Sequence, residues 1–192
     1  MLRKFYVLIT VVVCLFLLGG CMGRTRLTTD QIIQLAYDNV ELLNKAVVEI
    51  YNLDESIFGI ANTRFRQPPP TAEIDFEGLY TSGTVDNRNV IKPLDSPVLY
   101  ELLIDGRIRS ISIERVDGEI SQIIFTCRGR GVVDRREGFY YSPNNEPYWF
   151  DKTIWRNPRP KGNGWYVDRG RTYIYTEKIV DYWFYFEILS NR

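Results

Sequence analysis

The sequence predicts an α+β domain in which a long N-terminal amphipathic helix lies on an antiparallel meander sheet. Two observations predict it. Ile32, Ala36, Val40, Leu43, Val47 and Ile50 recur at spacings of three and four, so they share one helical face. From Arg107 onward, short alternating or aromatic-rich stretches follow one another, separated by turn residues and without helical spacers. That is the pattern of successive antiparallel strands.

The helix begins at Thr28, with Gln31 three residues on as in a capping box. Gln34, Asp38, Glu41 and Lys45 fall largely off the apolar stripe, and Glu41 precedes Lys45 by four residues, the favourable order. The polar face is acidic rather than lysine-rich, which suits packing on the chain's own sheet better than lying on a bilayer. Arg66-Gln67-Pro68-Pro69-Pro70-Thr71 favours an extended polyproline connection within the domain. Asp95-Ser96-Pro97 followed by Val98 to Asp105 and Gly106 fits a short capped helix; a strand ending in an Asp-Gly turn is the alternative. The strands then run through Ile111 and Ile113, Ile120 to Cys127, Gly131 to Val133, Gly138 to Ser142, Trp165 to Asp168, Arg171 to Thr176 and Tyr182 to Leu189. Asp117-Gly118 is read as a two-residue hairpin turn. Residues 29–192 are expected to form one domain. Its order of elements resembles that of the cystatin-like and NTF2-like rolls, without a motif of either family.

The first residues carry a different signal. Arg3 and Lys4 precede an uncharged, mostly apolar stretch from Phe5 to Leu18, which leads into Gly19-Gly20-Cys21. A basic start, an apolar run of this length and a small-residue exit form a secretory leader, and the run is short for a permanent span. Leu18-Gly19-Gly20-Cys21 resembles the bacterial lipobox. That resemblance, confined to residues 1–21, implies a signal peptide over 1–20, cleavage after Gly20, diacylglycerol on the sulfur of Cys21 and acylation of the new amino terminus. Two or more acyl chains hold a protein firmly where one does not. An ordinary signal peptide or an uncleaved anchor is the alternative. Residues 21–28 would be the lipidated cysteine and a short tether, and Arg24 and Arg26 in it would meet anionic head groups or merely keep it soluble. The implied location is the extracytoplasmic face of a cell membrane. In lipoprotein terms Met22, not aspartate, follows the cysteine, which favours the outer membrane if the source has two.

Composition narrows the chemistry. Removing residues 1–20 from the 192 leaves 172, enough for one sizeable core. The chain has 24 basic and 24 acidic side chains; losing Arg3 and Lys4 leaves two acids in excess, which argues against a general nucleic-acid binder. There is no histidine, which excludes His-dependent triads and imidazole metal sites. No cofactor or metal site is expected. Of the cysteines, Cys14 leaves with the leader and Cys21 is lipidated, so Cys127 is a lone thiol and more naturally buried than reactive.

The candidate site is aromatic. Between Phe139 and Phe186, sixteen of forty-eight residues are aromatic. A strand such as Tyr182-Trp183-Phe184-Tyr185-Phe186 cannot hide all its rings on one face, so its other face needs a second layer, a partner or a ligand. Tyr148, Trp149, Trp155, Trp165, Tyr173, Tyr175, Trp183 and Tyr185 are the candidate binding surface, against the alternative that they are core. The basic Pro/Gly-rich segment 156–164 is read as a loop in which Arg156, Arg159 and Lys161 contact an anion, or simply stay solvated. Arg128, Arg130, Arg135 and Arg136, interleaved with Asp134 and Glu137, are read as surface ion pairs. The function these readings favour is a membrane-anchored, non-enzymatic binding or protein-interaction domain whose partner is an envelope protein, a glycan or an anionic wall polymer. A wall-directed hydrolase using two carboxylates and an inhibitor or immunity-type envelope lipoprotein are the alternatives.

Overall fold

A computed structural model describes residues 27–66, 76–86, 88–129, 134–147, 158–168 and 170–190. The expected fold class is corrected by it. Sheet dominates, with about half of the described residues in strand and a fifth in helix, and no long N-terminal helix is present among them.

The apolar stripe between Ile32 and Ile50 is carried by two short helices, α1 (Thr29–Asp38) and α2 (Val40–Tyr51). Thr28 caps α1 in a full capping box: its hydroxyl accepts from the Gln31 amide, and its own amide donates 2.8 Å to Gln31 Oε1. The break falls at Asn39. Its side-chain amide donates to the Leu35 carbonyl at 2.7 Å, and its backbone N–H bonds to Ala36 instead. An asparagine that takes the carbonyl its own backbone would use ends the regular ladder. Periodicity cannot register such a bend, because Ile32, Ala36, Leu43, Val47 and Ile50 still all reach the core.

The second omission was three strands. β1 (Ile57–Asn62), β2 (Leu79–Val85) and β3 (Arg88–Pro93) precede the third helix, α3 (Pro97–Leu103). β1 and β2 are buried on both faces over part of their length, at Ile60-Ala61-Asn62 and Leu79-Tyr80-Thr81, and β3 is largely exposed, so none shows clean alternation in sequence. α3 has the expected signals: Ser96 accepts from the Leu99 amide, Pro97 opens the first turn, and Ser96 Oγ donates to Glu49 on α2.

Seven further strands follow: β4 (Ser110–Val116), β5 (Glu119–Gly129), β6 (Asp134–Tyr141), β7 (Arg159–Lys161), β8 (Gly164–Asp168), β9 (Thr172–Val180) and β10 (Trp183–Ser190). The β4–β5 turn is Asp117-Gly118, both at positive φ (53° and 84°), as a two-residue hairpin turn requires. All ten strands join one sheet in the order β3-β2-β1-β4-β5-β6-β10-β9-β8-β7, antiparallel throughout. β10 therefore inserts between β6 and β9. Gly131 to Val133, expected as a strand, and most of the proline-rich segment lie outside the described residues.

The helices cover one face. Ile32, Leu43, Ile50, Leu99 and Leu103 pack there with Ile111, Ile123, Phe125, Phe139, Trp183 and Tyr185. Cys127 is in this core; burial, and then the nearby Glu137 charge, push its thiol far above the ordinary range, so it is protonated and inert. The reverse face has its own cluster of Ile124, Tyr140, Ile174, Phe184 and Phe186. Phe184 and Phe186 are each 1% exposed, so the alternating rings of β10 are buried on both faces within this one chain.

Candidate functional site

Past the helices, the helix-side face continues across β6, β10, β9, β8 and β7 as a polar and tyrosine-rich surface. Strand alternation selects its residues: Arg135 and Glu137 from β6, Glu187 from β10, Tyr173, Tyr175 and Glu177 from β9, Tyr166 from β8, and Arg159 and Lys161 from β7.

At its outer edge is a cation held over two rings. Lys161 Nζ donates to Tyr173 Oη at 2.9 Å and lies 5.0 Å from the Tyr173 ring and 5.8 Å from the Tyr166 ring. The two rings are stacked at 6.0 Å. This geometry is within cation–π range, and the hydrogen bond to Tyr173 raises the ammonium's pKa. Arg159 stands across from Tyr166 in register and is exposed, as is Lys161. Next inward, Tyr175 donates its hydroxyl to Glu177 and packs on Tyr185. Burial, followed by this bond to a carboxylate, pushes the Tyr175 phenol well above its usual range.

Inward again is an ion network. Glu137 is fully buried and pairs with Arg128 at 3.2 Å and with Arg135. Arg135 also reaches Glu187 at 2.7 Å. Glu137 and Glu187 are direct cross-strand partners, so two carboxylates share one arginine. The sequence reading of surface ion pairs is corrected for Arg128 and Arg135: the carboxylate they share, Glu137, is buried. The Glu187 carboxyl is raised above the ordinary glutamate range. Burial is the main cause, Arg135 acts against it, and Glu137 adds to it.

Family models, curated proteins and solved structures give no match to this chain. Its residues alone must therefore carry the functional reading.

Of the candidate binding residues, Tyr173 and Tyr175 fall on this surface. Trp183 and Tyr185 do not: they are 1% and 0% exposed and belong to the core beneath the helices. Trp165 is half-buried and, by alternation with Tyr166, lies on the reverse face. Tyr148, Trp149, Trp155 and Arg156 lie outside the described residues, as do Gly20 and Cys21. Arg159 and Lys161 are not on a loop. They form β7, a three-residue edge strand that turns at Gly162-Asn163 into β8. Sequence reasoning missed Tyr166. Had Gly162-Asn163 been read as a hairpin turn, the register would have placed Arg159 opposite it.

The arrangement can bind more readily than it can catalyse. The half-buried and buried acids on this face are each taken up, Glu137 and Glu187 by arginines and Glu177 by Tyr175. Among the described residues no group of three or more His, Cys, Asp or Glu side chains is placed to hold a metal. A small groove between the helices is lined by Leu35, Asn39, Leu42, Glu101 and Arg107 among others.

The raised Glu187 gives a pH prediction. A carboxyl that holds its proton more tightly folded than unfolded stabilises the fold below its unfolded pKa, and that stabilisation is lost as pH rises through the folded pKa. Glu187→Gln keeps the side chain neutral throughout. The variant is expected to match the wild type near pH 4 and to be the more stable of the two at pH 7, by denaturant unfolding at both values. A variant less stable than wild type at pH 7 would mean that the Arg135 pair outweighs burial.

Proposed function

We propose that the chain is a lipid-anchored extracytoplasmic lipoprotein whose domain is a non-enzymatic binding module. One observation carries the anchoring: Leu18-Gly19-Gly20-Cys21 follows a basic start and an uncharged apolar stretch. The capping box at Thr28 supports it, since folded structure begins only a few residues after the cysteine and the domain needs no long stalk. No helix among the described residues is long and apolar enough to cross a membrane; in this reading the acyl chains on Cys21 are the attachment.

The Lys161–Tyr166–Tyr173 cluster with Arg159 supports the binding role. Exposed basic groups beside tyrosine rings suit a half-wet contact with an anionic envelope component. The hydrolase alternative gains no support from acids already tied to arginine or tyrosine.

Mass spectrometry of the mature amino terminus tests the anchor. The protein is expected to begin at a lipid-modified Cys21, and Cys21→Ser is expected to leave the leader uncut by lipoprotein processing, without the added lipid mass. A wild-type terminus without lipid, or one upstream of Cys21, would overturn the assignment.

A further inference from the structure

We infer that the surface formed by Arg159, Lys161, Tyr166 and Tyr173 is the one the anchored domain lays against the bilayer, with its two cations on anionic lipid phosphates and its tyrosines at the head-group level. This rests on the anchoring reading above.

The argument begins with where the chain enters the fold. Leu27 is six residues from Cys21, and six residues span at most about 21 Å. The first turn of α1 lies on the helix-side face, with Thr29 Oγ1 3.4 Å from Tyr185 Oη on β10. From β10 the sheet continues through β9 and β8 to β7, a distance of roughly 14 Å at ordinary strand spacing. Anchor point and cationic surface are thus on one face of one sheet, within reach of the same patch of membrane.

Chemistry narrows the occupant. Tyrosines with basic residues beside them are the composition of membrane interfaces, where the ring sits at head-group depth and the cation meets phosphate. The acids on this face do not oppose that contact equally. Glu177 accepts from Tyr175, Glu187 pairs with Arg135, and Asp168 accepts the Gly170 amide at 3.0 Å. Lys161 and Arg159 are both exposed, and β7 is only three residues long, so the edge offers side chains more than an open backbone ladder.

The test uses the mature lipidated protein, purified in detergent and reconstituted into vesicles. One set is equal parts phosphatidylglycerol and phosphatidylcholine; the other is phosphatidylcholine alone. Flotation first establishes that the protein is on the vesicles. A water-soluble acetylating reagent then reports Lys161 against Lys92, an exposed lysine on β3 at the far edge of the sheet. Relative to detergent micelles, Lys161 is expected to be acetylated at least roughly fivefold more slowly in the phosphatidylglycerol vesicles, the scale of one basic residue at an anionic surface, while Lys92 is unchanged. Arg159→Glu is expected to remove most of that protection.

Protein that floats while Lys161 reacts as fast as in micelles overturns the docking and leaves the anchor standing. Equal protection in both vesicle types overturns the requirement for anionic lipid. Protein that fails to float takes the anchor and the docking together. Protection by polygalacturonate in micelles but not by either vesicle would assign the surface to an acidic glycan instead.

Discussion

Replacing Trp183 by alanine is expected to cost about 4 kcal/mol of unfolding free energy, the scale of losing a large buried aromatic. The indole is 1% exposed and lies 5.4 Å from the Phe125 ring, 6.0 Å from Phe139 and 5.5 Å from Tyr141. It also ties the layers together, since Nε1 donates to Asn44 Oδ1 of α2 at 3.0 Å. Trp183→Phe separates the two contributions. It keeps most of the ring packing but leaves Asn44, which is exposed and can turn to water, without this donor, for an expected loss of about 0.5–1 kcal/mol beyond the packing change. Equilibrium unfolding in urea measures both. A Trp183→Ala protein within about 1 kcal/mol of wild type would show that the ring is not the centre of the core.

Gly138→Ala is expected to be nearly as damaging, at about 3 kcal/mol, although it adds a single methyl group. Gly138 pairs with Thr126 on β5 and with Phe186 on β10. A β-carbon there would lie far inside van der Waals contact distance of the Phe125 carbonyl oxygen and 3.0 Å from Cε1 of the Phe186 ring. The carbonyl belongs to the neighbouring strand, beside the register shift that places Cys127 between Thr126 and Arg128. Such a bulge bends one strand toward its partner, and only a residue without a β-carbon lets β5 and β6 keep that approach. The same urea series decides it. Full tolerance of alanine would mean that the two strands separate at little cost.

These two positions show what could be read in advance. Trp183 was visible as part of an aromatic strand, yet its burial was not, because alternation states that the rings of β10 divide between two faces and not what covers either one. The capping box at Thr28, the Asp117-Gly118 turn and the helix at Pro97 were legible because each depends on a few adjacent residues. The break at Asn39 was not, since the stripe survives it. β1 to β3 were missed because β1 and β2 are buried on both faces over part of their length and β3 is largely exposed, so none of the three alternates cleanly. At the candidate surface, Tyr173, Tyr175, Arg159 and Lys161 were named from sequence as separate features. That Lys161 stands over Tyr166 and Tyr173 depends on the β7–β8–β9 register, which only the folded sheet supplies.

The insertion of β10 between β6 and β9 has a consequence for how the chain assembles. A growing polypeptide that has completed β1 to β6 holds six strands of the sheet whose β6 edge has no neighbour, with Phe139 and Tyr140 along it. That edge closes only when Trp183–Ser190 arrives, more than forty residues after Tyr141. Pairing across such a separation is slow because loop entropy is lost before contacts form. The polypeptide would thus stay incompletely collapsed until its last strand is available to close the sheet.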